Sequence, residues 1–164
     1  MSDNNRTRTY TWDDPLPIAA AAMGASGMEF MQKFTSGEVP MPPIARTLDY
    51  TLEFAEEGRA IFVGTPAEFH YNPIGAVHGG WTSTLLDSAL GCAVHTMIPA
   101  GSAYTTVELH VNFVRAITVE TGKVRAIAEV LHMGRRMATA AARLVDANDK
   151  LLAHATTTCM IFEL

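Results

Sequence analysis

A chain of 164 residues, nearly half of them apolar, has the length of one domain and enough apolar material for a real core. Its formal net charge of -5 argues against nucleic acid as a partner, since phosphate recognition needs a concentrated basic face and no such face is visible. Its two cysteines, Cys92 and Cys159, both lie in apolar segments, which fits reduced thiols in a cytoplasmic protein better than a disulfide.

Residues 1–11 are short, polar and terminal, and are expected to be disordered; residues 1–14 hold no apolar core of the kind an ordinary secretory signal needs. An alanine run then leads to Ser26 and a segment in which Met31 and Phe34 are spaced for one face of a helix, with Gly37 where a C-terminal stop belongs. Residues 1–44 are therefore assigned as an N-terminal tail and helical extension, serving as a lid over a pocket or as the cover of a sheet edge. Residues 45–164 are assigned as a single domain. Pro40, Pro42 and Pro43 break the chain before it extends, and over 47–55 Leu48, Tyr50, Leu52 and Phe54 alternate with polar neighbours as in a half-buried strand. A turn over 56–59 joins it to a second strand over 60–65. His70 and Tyr71 fall in the following loop, where packing is the better expectation than lining a pocket.

Residues 72–97 carry the chemistry. Proline and glycine punctuate the first half, and Leu86, Leu90, Ala93 and Met97 then recur near helical spacing, so a loop feeds a buried helix. A helix starting near His78 presents the orphan amides of its first turn, and Gly79 and Gly80 have no Cβ to keep a ligand from them, which makes an oxyanion cradle. Asp87 is an ionisable group amid apolar residues, costly unless partnered, and desolvation should raise its pKa. Gly80 and Asp87 share a helix face but lie roughly 10 Å apart along the axis. One carbonyl group cannot touch both, so joint action on one substrate requires two copies of the chain with antiparallel helices about a two-fold axis. Ser83, Thr84, Ser88 and Gly91 are small enough for that approach. A lone aspartate or a histidine before two glycines has plain structural explanations; the combination with Asn72 is what points to a site. Asp87, His95 and several hydroxyls make residues 81–100 a poor bilayer segment, and no membrane partner is expected.

Beyond the helix, residues 106–115 place Val107, Leu109, Val111 and Phe113 on one face and Thr106, Glu108, His110 and Asn112 on the other. Three more strands are expected over 122–132, 137–146 and 151–162, with turns at 133–136 and 147–150. The alanine-rich run 139–142 suits a strand whose small side chains let a helix lie close. Two strands, a long helix and four strands give an α+β domain, an antiparallel sheet curled round one central helix.

Asn72, Gly75, His78-Gly79-Gly80 and Leu86-Asp87, followed by Thr105-Thr106-Val107-Glu108-Leu109 and Asn112-Phe113, resemble the PaaI-type hotdog-fold acyl-CoA thioesterases over about residues 47–161. The resemblance implies a hotdog fold, hydrolysis of acyl-CoA to free acid and CoA, and a homodimer or homotetramer with the active site between subunits. It implies that Asp87 is the general base or nucleophile, that the Gly79 amide polarises the thioester carbonyl, that Asn72 and His78 line the site, and that Thr106 positions the water or the carboxylate. Gly80, Trp81 and Tyr104 are expected along the substrate groove, with Met28 and Phe30 among the walls that select the acyl group. Arg135 and Arg136 are expected at the CoA diphosphate, with Arg115 and Arg125 as rivals. Arg115-Ala116 departs from the proline that follows this arginine in many relatives. No metal is expected, because the histidines lack ligand spacing, and no cofactor beyond the CoA of the substrate. The competing readings are a hotdog-type hydratase or dehydratase and a noncatalytic acyl-CoA-binding module.

Overall fold

A computed structural model describes residues 6–164. Three helices precede the sheet: α1 (Pro15–Met23), α2 (Gly27–Ser36) and α3 (Pro43–Leu48). Local chemistry sets their ends. The Asp14 side chain accepts the Leu16 N–H at the start of α1, Ser26 and Glu29 form a reciprocal capping box on α2, and Gly37 ends α2 in the left-handed region at φ 77°. The third helix was not expected, because a proline cluster reads as a break. Pro43, however, occupies the first helical turn, where its missing N–H costs nothing and its fixed φ suits a helix. The strand expected from residue 47 consequently begins later, after Asp49 turns the chain at φ 52°.

Of the tail expected to be disordered, residues 1–5 lie outside the described residues, and residues 6–11 hold no helix or strand. They are nevertheless tied down. Arg8 pairs with Asp49 at 2.9 Å, donates to the Thr47 and Arg46 carbonyls, and stacks its guanidinium over the Phe69 ring at 4.0 Å.

The strands β1 (Tyr50–Glu56), β2 (Arg59–Gly64), β3 (Ser102–Phe113), β4 (Val124–Met133), β5 (Met137–Val145) and β6 (Leu151–Glu163) form one antiparallel sheet in the order β1-β2-β4-β5-β6-β3. Helix α4 (Gly79–His95) packs across it, burying Leu85, Leu86, Ala89, Leu90, Ala93 and Val94. The alanines of β4 and β5 face it, Ala126, Ala128, Ala138 and Ala140 being fully buried, and the run that tempts a helix assignment is strand. Two strands, a long helix and four strands in this arrangement are the hotdog architecture. Helix α2 packs on the inward face of β1 beside α4, its Phe30 and Met31 sharing a buried cluster with Leu52, Ala55 and Cys92.

Both edge strands depart from simple alternation, and each departure is a bulge. In β1 the register slips between Leu52 and Phe54, which turns Phe54 outward. In β3 it slips between Thr106 and Glu108. Thr106 therefore pairs with buried Cys159, and Leu109 with buried Thr157, which puts Thr106, Leu109, Val111 and Phe113 on the inward face. The expected division of this strand is thus corrected at one point: Val107 is the extra, 56% exposed residue, and Thr106 changes sides. The Thr157 hydroxyl donates to the Glu108 carbonyl at 2.7 Å beside the bulge, which accounts for a buried threonine.

Candidate active site

The loop before α4 is held rigidly. The Asn72 carboxamide oxygen accepts the Ile74 and Ala76 N–H groups at 3.0 and 3.1 Å, and Gly75 supplies the left-handed turn at φ 84°. The Val77 and His78 amides donate to the Ile117 and His70 carbonyls. Asn72, expected to line the site, thus commits its oxygen to shaping the loop that delivers His78.

His78 is the N-cap of α4, and its Nδ1 accepts the Gly80 N–H at 2.9 Å. That bond leaves the proton of the neutral ring on Nε2. It also alters the expected cradle, because the Gly80 amide is taken. The Trp81 N–H donates to the His78 carbonyl, so among the described residues the Gly79 N–H is the amide of this mouth without an acceptor in the chain. The Phe113 ring lies over Gly79, where a Cβ would meet the ring edge at 3.0 Å.

Asp87 lies eight residues further, about 12 Å along the axis. Its carboxylate is half-buried, and Oδ1 accepts the Thr106 hydroxyl at 3.4 Å, a long bond that the bulge in β3 makes reachable. Burial raises its pKa above the ordinary 3.8, partly offset by that bond. Around it the groups are neutral. The Ser88 hydroxyl donates to the Tyr50 hydroxyl at 3.0 Å, and burial pushes the Cys92 thiol up to about 12, the charge of Asp87 adding to the effect. Burial also raises Cys159; both cysteines are free, and neither is a ready thiolate nucleophile.

The remaining expected residues separate into three groups. Trp81, expected along the groove, is corrected to a core residue: it is 3% exposed, its Nε1–H donates to the Leu48 carbonyl at 2.9 Å, and its ring packs on Gly64 and His70. Tyr104 faces inward two residues before Thr106, its ring over Gly91. Arg135 and Arg136 are exposed at the β4–β5 hairpin and line an open groove of about 700 Å³ with Ser102, Met160 and Phe162. Their rivals are engaged elsewhere, Arg125 with Asp149 at 2.7 Å and Arg115 with the Leu151 carbonyl.

His70 packs, as expected, at 5% exposure, yet it does more than fill space. Its carbonyl holds the His78 amide, its Nδ1 accepts the Ala67 N–H at 3.0 Å, and its ring lies on Trp81. Nothing in the sequence signals this, because the contact that matters is made by the main chain. Burial lowers its pKa below 6.5, with Asp49 raising it and Arg8 lowering it to smaller degrees.

Among the described residues, no helix is long and apolar enough to cross a membrane. No curated protein matches the chain. Among solved structures, a putative thioesterase from Ralstonia eutropha described as phenylacetic acid degradation-related is similar at 27% identity and TM-score 0.71, over 79% of this chain and 97% of that one. A mutant of the phenylacetic acid degradation protein PaaI from Thermus thermophilus is similar at 27% identity and TM-score 0.66, over 72% and 97%. A thioesterase family protein from Silicibacter pomeroyi is similar at 25% identity and TM-score 0.71, over 90% and 99%. The model of the thioesterase superfamily matches residues 74–153, the span from the loop before α4 into β6. Residues 74–153 therefore match the thioesterase superfamily, and the chain has the hotdog fold of its PaaI-related structural neighbours.

Proposed function

We propose that the protein hydrolyses acyl-CoA thioesters at a site shared by two protomers. The observation that carries this reading is the partnering of Asp87: a desolvated carboxylate, facing a hydroxyl and neutral groups, beside a sheet edge with which no further strand pairs among the described residues. The Gly79 amide supplies the second half of the chemistry but stands too far along α4 to serve the same carbonyl. Two chains related by a two-fold axis bring one protomer's Gly79 to the Asp87 of the partner subunit. Support for such pairing comes from β3, a 12-residue edge strand with Val107 and Phe113 more than half exposed, an edge that invites a neighbour.

In this scheme the thioester oxygen accepts the Gly79 N–H. The carboxylate takes a proton from the attacking water, and collapse of the tetrahedral intermediate expels the CoA thiolate, which recovers that proton. In the nucleophilic version Asp87 attacks directly and expels the CoA thiolate, and water then opens the mixed anhydride, returning the Asp87 carboxylate and supplying the proton that the thiolate takes up. Thr106 steadies the carboxylate, and the groove at Arg135 and Arg136 suits the CoA diphosphate. The reaction needs no cofactor beyond the CoA that arrives with the substrate, and two reduced cysteines fit the cytoplasm.

Thiol release from a panel of short, medium, long and aryl acyl-CoAs tests the reading. Asp87→Ala should lower turnover by at least ~10²-fold while the protein stays folded; undiminished activity sinks the assignment. Binding of acyl-CoA with no hydrolysis across the panel would favour a noncatalytic module. Single-turnover oxygen-18 labelling of the Asp87 carboxylate separates nucleophile from base.

A further inference from the structure

We propose that Tyr104, braced by His95 and by Phe30 of the N-terminal extension, is the stop that limits acyl length, so that the groove takes short-chain acyl thioesters. This rests on the hydrolytic reading above. Beside Asp87, α4 and β3 run in opposite directions, and the acyl chain would lie between them: Phe113 covers Gly79 at one end, and Tyr104 covers Gly91 at the other. Asp87 and Gly91 follow one another on one face of α4, about 6 Å apart along the axis. Thr106 and Tyr104 follow one another on the inward face of β3. At the first step a carboxylate meets a hydroxyl. At the next, the missing Cβ of Gly91 admits the tyrosine, whose hydroxyl would stand 2.9 Å from a Cβ there, and the groove closes.

The ring is held from behind. His95 meets Tyr104 edge-on with centroids 5.4 Å apart, and Phe30 stacks on His95 at 5.3 Å and 23°. Gly27 lets α2 come this close, because a Cβ there would overlap the His95 carbonyl, and its N–H donates to the Ile98 carbonyl at 2.9 Å. Beyond Tyr104 is a small void of about 100 Å³ lined by Met23, Gly27, Ile98 and Leu164 among others. A wall backed by a void and braced by one helix is a boundary that single substitutions can move, and it gives the extension a role in substrate choice besides packing on β1.

The full chain is assayed with straight-chain acyl-CoAs from acetyl to dodecanoyl, and its binding of the matching nonhydrolysable S-alkyl-CoA thioethers is measured by calorimetry. The wild type should lose at least ~10-fold in kcat/KM per homologue once the stop is reached, the scale of one misfitting methylene. Phe30→Ala should move that fall to a longer homologue, and Phe30→Leu, which retains most of the buried volume, should move it less. Gly91→Ala, which drives the tyrosine toward the groove, should move it to a shorter one. A wild-type profile with no fall up to dodecanoyl, or a fall at the same homologue in all three variants, overturns the proposal. A thioether cut-off that moves as described with no acyl-CoA hydrolysed retains the stop and sinks the hydrolytic reading. Hydrolysis with an unmoved cut-off does the reverse.

Discussion

The two edges of the sheet are handled in opposite ways. Strand β1 has seven residues, and α2 backs its inward face with Phe30 and Met31. Strand β3 has twelve, and among the described residues no strand pairs with its outer side. Each carries a bulge, but in β1 the bulge turns an aromatic outward, whereas in β3 it turns a hydroxyl inward to Asp87. A short strand backed on its inward face by its own helix offers a neighbour little to pair with. The edge left open is the one beside an unfinished site, which is the arrangement a second copy would complete.

The largest expected effect tests that completion. Gly79→Pro deletes the proposed oxyanion donor with little backbone cost, since proline suits the first helical position and His78, at φ -63° and ψ 136°, already has the conformation that precedes proline. Turnover should fall about 10²–10³-fold. Unfolded and refolded together with Asp87→Ala in equal amounts, the two inactive chains should recover about a quarter of wild-type activity, because half the dimers are mixed and each has one intact site. No recovery from a folded mixture would put both groups in one protomer.

Next come the bulges. Thr106→Val removes the hydroxyl that the β3 bulge turns to Asp87, with an expected loss of ~10-fold or more in kcat. Deleting Glu53 from the β1 bulge should leave kcat within about threefold, because no proposed reacting group lies on that strand. Equal losses would erase the distinction between the edges. A smaller effect concerns assembly: Val107→Lys should weaken the dimer about tenfold by sedimentation, as a charge on an open edge opposes pairing, while Phe54→Lys on β1 should leave it unchanged.

Much of this was legible in the residues, and the failures share a cause. Helical spacing, turn chemistry and the two-strand, helix, four-strand count all follow from periodicity, and they give the hotdog architecture that the structure has. The motif named the positions at the helix mouth and the mid-helix acid. Bulges escaped, because an inserted residue has no composition signature, and with them went the true facing of Thr106 and Phe54. Trp81 escaped because its partner, the Leu48 carbonyl, is main chain, as is the His70 carbonyl that holds His78. The short helix α3 escaped because proline marks both a break and a beginning.

The smallest effect separates the two sides by the sign of their pH dependence. Asp87 belongs to the open β3 side, and burial raises its pKa above 3.8. Its stabilising contribution is therefore present while it is protonated and is lost as pH rises through the raised value. Asp87→Asn should match the wild type in acid and exceed it at neutral pH, by at most about 1 kcal/mol given the carboxylate's remaining solvent contact. Activity should run the other way, rising with pH as the carboxylate ionises. His70 lies on the covered side, next to Leu48 and Asp49 where β1 begins, and burial lowers its pKa from 6.5. Its contribution is present above 6.5 and is lost as pH falls through the lowered value, because the unfolded chain takes the proton first. His70→Phe should flatten the rise of the urea-midpoint profile as pH climbs toward 6.5, and Asp87→Asn the fall that sets in above pH 3.8. If one substitution flattened both, the two regions would be coupled through α4, and the contrast between a finished and an unfinished edge would not hold.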